Sequence, residues 1–145
     1  MIVYLDTSAL VKLYVSERHS RDVQHRAHRA NAVATSMVAY AEARAAFARA
    51  LREEATTLAA HSRRVAQFNR DWSELLRIEL HPTVARNAGE LAEIHQLRGF
   101  DAIHLASALW LRDRSDEDCE FVAFDARLLA GARSAGLETA SIGRG

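Results

Sequence analysis

Ile2-Val3-Tyr4-Leu5-Asp6-Thr7-Ser8 opens the chain with an apolar run, an acid and then two hydroxyls. A run this short, closed by a polar cluster, predicts a buried strand over 2–5. Thr7 and Ser8 offer capping hydroxyls, and a helix is predicted from Ala9 to Val15. The same order returns near the other end. Phe121-Val122-Ala123-Phe124 reads as a strand, Asp125 follows it, and a helix is predicted over Arg127–Ala135 with Gly136 closing it. In a parallel sheet both aspartates emerge at the carboxyl edge, where α/β folds place their sites. Carboxylates converging there repel one another, and a divalent cation relieves the repulsion.

The stretch between these units alternates in the same way. Residues 17–30, rich in Arg and His, read as a surface helix, and Ala32–Thr35 as a second short strand. Ser36 is placed to cap a long helix from Met37 to Arg52. A further helix is predicted over Thr56–Arg77. Its stripe of Leu58, Val65, Phe68, Trp72 and Leu75 recurs at three- and four-residue steps, as a core or packing face does. Ile78–Leu80 reads as a strand ended by Pro82, the only proline. Helices over Thr83–Leu97 and Ala102–Arg112 follow, and a last strand over Glu138–Ala140. Short strands alternating with helices predict an α/β sandwich with a mainly parallel sheet and high helix content. With 145 residues and no repeat or linker, a single domain over 1–145 is expected.

Charge and composition narrow the function. Acidic and basic residues balance at 19 each, with Lys12 the only lysine. A neutral chain lacks the basic footprint of a module that holds nucleic acid by phosphate contacts alone, and leaves room for an enzyme that grips a short stretch. The single cysteine, Cys119, excludes an internal disulfide framework and favours a reducing compartment. The longest uncharged run, Ala30 to Ala41, is too short to span a membrane, which takes about 18 apolar residues or more. No targeting segment is visible, and a cytoplasmic protein is expected.

Two more acids stand out. Asp101 lies in Gly99-Phe100-Asp101-Ala102-Ile103-His104, where a glycine interrupts one helix and the acid stands at the mouth of the next. Glu42 has Val38, Ala39, Ala45 and Ala46 as its helical neighbours. An ionised glutamate on such a face is costly unless it is paired or binds a metal. Plainer roles remain open: Asp6, Asp101 and Asp125 would serve as helix caps, and Glu42 could face solvent. His104, one turn from Asp101, reads as a packed residue rather than a base. His25 and His28 read as solvated, with no companions at zinc-ligand spacing.

Taken in order, these segments resemble the PIN-domain nucleases, and most closely the VapC-type toxins of toxin–antitoxin pairs. The resemblance is carried by Tyr4-Leu5-Asp6-Thr7-Ser8-Ala9-Leu10-Val11-Lys12-Leu13-Tyr14, by Ser36 followed by Glu42, by Leu97 to Ala108 and by Phe121 to Leu128. The first and third segments are quite specific, and together the four span nearly the whole chain. The resemblance implies a PIN-like three-layer α/β/α sandwich with a short mainly parallel sheet. It implies hydrolysis of single-stranded or looped RNA with Mg²⁺, or Mn²⁺ in its place, at Asp6, Glu42, Asp101 and Asp125. Asp6 and Asp101 are the first choice as direct metal ligands, with Glu42 and Asp125 acting directly or through water. It further implies a VapB-type antitoxin as partner, a homodimer, and products bearing a 5′-phosphate and a 3′-hydroxyl. In one departure, Ala123 stands where many members carry a Ser or Thr hydroxyl two residues before the fourth acid.

Neighbouring classes fail on single residues. A haloacid-dehalogenase phosphatase needs a second aspartate two residues after the first, and here that residue is Ser8. A response-regulator receiver needs a lysine late in the chain, where none occurs. A DNA-directed nuclease with the same acids, and a non-catalytic protein-binding domain of this fold, remain as alternatives.

Overall fold

A computed structural model describes residues 1–140 and 142. Its elements run β1 (Ile2–Leu5), α1 (Thr7–Val11), α2 (Ser20–Arg29), β2 (Ala32–Ser36), α3 (Ala39–Arg52), α4 (Leu58–Trp72), β3 (Leu76–Ile78), α5 (Pro82–His95), α6 (Gly99–Arg114), β4 (Cys119–Val122), α7 (Ala126–Ser134) and β5 (Glu138–Thr139). The strands form one sheet in the order β3-β2-β1-β4-β5. All of its pairings are parallel, so the expected mainly parallel sheet is wholly so among the described residues.

β1 lies at the centre, between β2 and β4, and each of its residues is buried. Successive side chains of a strand point to opposite faces. Ile2 and Tyr4 accordingly join one core with residues of α5, α6 and α7, such as Val84, Leu105 and Leu128. Val3 and Leu5 join the other with residues of α1 to α4, such as Leu10, Val23, Phe47 and Phe68. A strand covered on both faces must be apolar throughout, and Ile-Val-Tyr-Leu is. The result is the expected three-layer α/β/α sandwich.

Several boundaries differ from expectation, each for a local reason. Thr7 and Ser8 lie inside α1 rather than capping it; the cap is Asp6, whose Oδ1 accepts from the Ala9 N–H at 2.9 Å. Ser36 ends β2 instead of capping α3, because it is register partner to Ile78 in β3. The helix expected to Arg77 stops at Trp72. Leu76–Ile78 then peels away to form the sheet edge beside β2, and Glu79 and Leu80 are exposed. Within the helical stripe Phe68 is buried, Val65, Trp72 and Leu75 pack partly against the core, and Leu58 is exposed. Gly136 closes α7 as expected: its φ of 89° suits glycine, and the Leu137 N–H behind it reaches the Ala132 carbonyl at 3.0 Å.

Candidate active site

The sheet brings the first and last acids to one edge. Asp6 follows β1 directly, and its backbone N–H donates to the Val122 carbonyl at the end of β4. Asp125 comes three residues later and caps α7, accepting from the Leu128 N–H at 2.9 Å. Asp101 lies in the first turn of α6 and Glu42 in the first turn of α3. All four acids thus sit at helix N-termini, where unpaired N–H groups and the helix dipole favour negative charge. The capping role and the clustering coexist: Asp6 and Asp125 are helix caps and neighbours of the other acids at once.

Their environments differ. Asp6 is buried, 5% exposed, and its Oδ1 also accepts from Ser8 Oγ at 2.7 Å. Burial pushes its carboxyl above the usual range and Asp101 adds to this, against the opposing pull of His104, the Ala9 N–H and Ser8. Asp101 is raised as well, by burial first and then by the charge of Asp125, with Glu42 contributing. Glu42 goes the other way: burial would raise it, but hydrogen bonds from His104 and Thr7 outweigh that and hold it low. Asp101 is the hinge of the group. It lines a cleft of about 490 Å³ with Asp125, Arg98 and Arg127. It also lines a second cleft of about 630 Å³ with Glu42, Arg98 and the exposed Phe100. Asp6 forms part of neither wall.

Among the described residues no three His, Cys, Asp or Glu side chains stand as a ready-made metal cage. The acids open to the clefts come in pairs, Asp101 with Asp125 in one and Asp101 with Glu42 in the other. That set fits a hard cation such as Mg²⁺, which keeps several waters and takes one or two carboxylates, and does not fit a closed zinc site.

Sequence reasoning missed the polar contacts behind the acids. Thr7 Oγ1 donates to Glu42 Oε1 at 2.5 Å. His104 Nε2 lies 3.1 Å from the same oxygen and 2.9 Å from Thr7 Oγ1. His104 Nδ1 lies 2.8 Å from the Tyr4 hydroxyl. His104 is packed, as expected, at 1% exposure, but it is packed as a polar bridge. The available signal was its spacing of three from Asp101 on a helix, which puts both on one face. His25 and His28 are exposed, as expected. Cys119 is buried, and burial pushes its thiol up to about 11, which leaves it a packing residue.

No helix among the described residues is long and apolar enough to cross a membrane. Residues 3–134 match the PIN domain family. The chain is 38% identical over 143 residues to Ribonuclease VapC45 of Mycobacterium tuberculosis (strain CDC 1551 / Oshkosh), covering 96% of this chain and 94% of that one. It is 31% identical over 146 residues to Ribonuclease VapC47 of the same strain, covering 98% of each. Among solved structures, that of VapBC2 from Rickettsia felis bound to a DNA fragment from their promoter superposes with a TM-score of 0.64 over 97% of this chain and 98% of that one. Its sequence identity of 16% speaks for the fold alone. The match over most of its length and the kinship with these relatives make the chain a member of the PIN-domain family, in its VapC ribonuclease branch.

Proposed function

We propose that this protein is a Mg²⁺-dependent endoribonuclease, with Mn²⁺ as substitute, that hydrolyses RNA phosphodiesters at Asp6, Glu42, Asp101 and Asp125. The observation that carries the reading is the shared position of these acids at the carboxyl edge of the sheet: Asp101 lines one cleft with Asp125 and a second with Glu42, and the turn of Asp6 is hydrogen-bonded to the end of β4. Asp101 feels both Asp125 and Glu42, and Asp6 feels Asp101. Helix N-termini account for each acid singly, but like charges brought to one edge still repel one another. The names of its VapC relatives favour RNA as substrate.

Asp6 and Asp101 are the direct ligands in this reading, with Glu42 and Asp125 holding the cation directly or through water. When bound, the cation activates a water and offsets charge on the phosphate. Asp6, fixed by its own helix cap, offers one carboxylate oxygen in a set direction. Asp101, standing between both clefts, joins the site to the groove in which a strand would lie. Arg98 and Arg127 on the cleft wall supply guanidinium groups for flanking phosphates. This chemistry does not need the RNA 2′-hydroxyl as nucleophile, and the family resemblance implies products with a 5′-phosphate and a 3′-hydroxyl.

The toxin assignment follows the same kinship. We read the chain as a single PIN-like domain, cytoplasmic, homodimeric and partnered by a VapB-type antitoxin. Solved structures of this fold include a toxin–antitoxin complex from Klebsiella pneumoniae, which supports that partnership. The test is cleavage of a labelled single-stranded RNA with Mg²⁺, Mn²⁺ or EDTA, beside a matched DNA and the Asp6→Asn variant. Cutting of RNA that needs the metal and Asp6 supports the reading. Equal cutting of the DNA replaces it with a DNA-directed nuclease, and no cutting of either favours the protein-binding alternative.

A further inference from the structure

Glu42 is not free to choose its orientation. Thr7 and His104 both bond its Oε1, and among the described residues no bond falls on Oε2. An ionised carboxylate only accepts, so the His104 Nε2 facing it must carry the proton. That leaves Nδ1 to accept from the Tyr4 hydroxyl at 2.8 Å, and Tyr4 is itself enclosed by the core. It is fully buried in the central strand and stacked on Phe121 of β4, with ring centroids 5.6 Å apart. A continuous chain therefore runs from the middle of the sheet, through Tyr4 and His104, to one oxygen of Glu42. The other oxygen is left for the cleft.

We propose that His104 is a positioning residue for the acidic cleft, holding Glu42 in the single orientation that receives a divalent cation, with Tyr4 as its anchor in the core. The inference rests on reading the carboxylates as a cation site. Its physical basis is preorganisation: a carboxylate already held in place has less freedom to lose on binding. Outer-sphere partners of this kind are worth about 10–100-fold in metal affinity or activity.

Two substitutions separate positioning from packing. His104→Gln keeps an N–H close to the place of Nε2, whereas His104→Asn keeps polar contact only near Nδ1. Mn²⁺ titration by calorimetry is expected to give a dissociation constant raised about tenfold or more in His104→Asn, and largely restored in His104→Gln. The kcat for RNA should fall in parallel with KM for RNA unchanged. A purely structural role would lower the melting temperature of both variants and leave the Mn²⁺ affinity of the folded protein alone. Wild-type affinity in His104→Asn overturns the inference. Tyr4→Phe deletes only a hydroxyl and keeps the ring stack, so it carries the test if His104→Asn does not fold; unchanged Mn²⁺ affinity there overturns the inference too. Wild-type protein that binds Mn²⁺ but cuts no RNA defeats the nuclease reading while the Mn²⁺ comparison still judges His104. Wild-type protein that binds no Mn²⁺ overturns both.

Discussion

The backbone N–H of Asp6 donates to the carbonyl of Val122 at 3.1 Å, tying the first acid to the strand that leads to the last. Leu5 and Val122 are register partners in the parallel ladder, so the two acid-bearing turns leave the sheet side by side. Their nearness comes from the backbone and does not depend on the carboxylates attracting anything.

Removing one charge should therefore leave the scaffold standing. Asp6→Asn keeps an amide oxygen for Ser8 and the Ala9 N–H while deleting a buried charge. RNA cleavage by Asp6→Asn and by Asp101→Asn is expected to fall to background. Calorimetry on the cation-free proteins should give melting temperatures at or above that of the wild type. A clear drop would count against a strained cluster of carboxylates.

The acids also set a pH dependence with opposing parts. Asp6 and Asp101 have carboxyls raised above their ordinary 3.8, chiefly by burial. The folded state holds those protons more tightly than the unfolded chain, so their contribution to stability falls as pH rises from 3.8 through the raised values. Glu42 is lowered from 4.5 by His104 and Thr7 against the effect of burial. Its contribution is present above 4.5 and is lost as pH falls through the lower folded value. Melting curves from about pH 3 to about pH 7 should show the advantage of Asp6→Asn over wild type growing as pH rises. Over the same range Glu42→Gln should converge on wild type at the acid end.

A cation that relieves repulsion must stabilise the folded state. Mg²⁺ or Mn²⁺ at a hundredfold excess over its dissociation constant is expected to add about 2.7 kcal/mol, read as a rise in melting temperature that EDTA reverses. Asp6→Asn and Asp101→Asn should lose most of that rise. An equal shift in all three proteins would place the ion elsewhere.

The layer opposite α5–α7 depends on one ring. Phe68 of α4 is fully buried, edge-on to Tyr14 and Phe47 at 5.2 and 5.4 Å between ring centroids, and stacked on Tyr40 at 5.4 Å. Phe68→Ala is expected to cost about 3–5 kcal/mol in urea unfolding. Leu58, at the start of the same helix, is 68% exposed, and Leu58→Ala should change stability little.

Much of this was legible in the chain itself. β1 and β4 could be read because a strand buried on both faces must be apolar along its length. The acids after them could be read because parallel strands share an edge. β3 was misplaced because its pairing with β2 is a long-range fact: Leu76 and Arg77 carry no local signal that separates a strand from the end of an amphipathic helix. Thr7 was misassigned for a related reason. A hydroxyl after an acid looks like a helix cap, and nothing nearby in sequence says that it faces Glu42, 35 residues away. The bridge at His104 spans 100 residues to Tyr4 and 62 to Glu42, and only the assembled sheet brings those ends together.

The central place of β1 bears on how the protein is made. Its first residue, Ile2, has Cys119 as register partner, so β1 stays open on one side until the chain as far as β4 has been made. Closure over that distance is slow compared with local helix formation. A cleft walled by Asp101 and Asp125 cannot assemble on a chain that stops short of Asp125. A translation product broken off before Cys119 would carry three of the acids, a bare sheet edge and no finished site. The order of synthesis itself delays completion of the cleft until Asp125 has followed β4 off the ribosome.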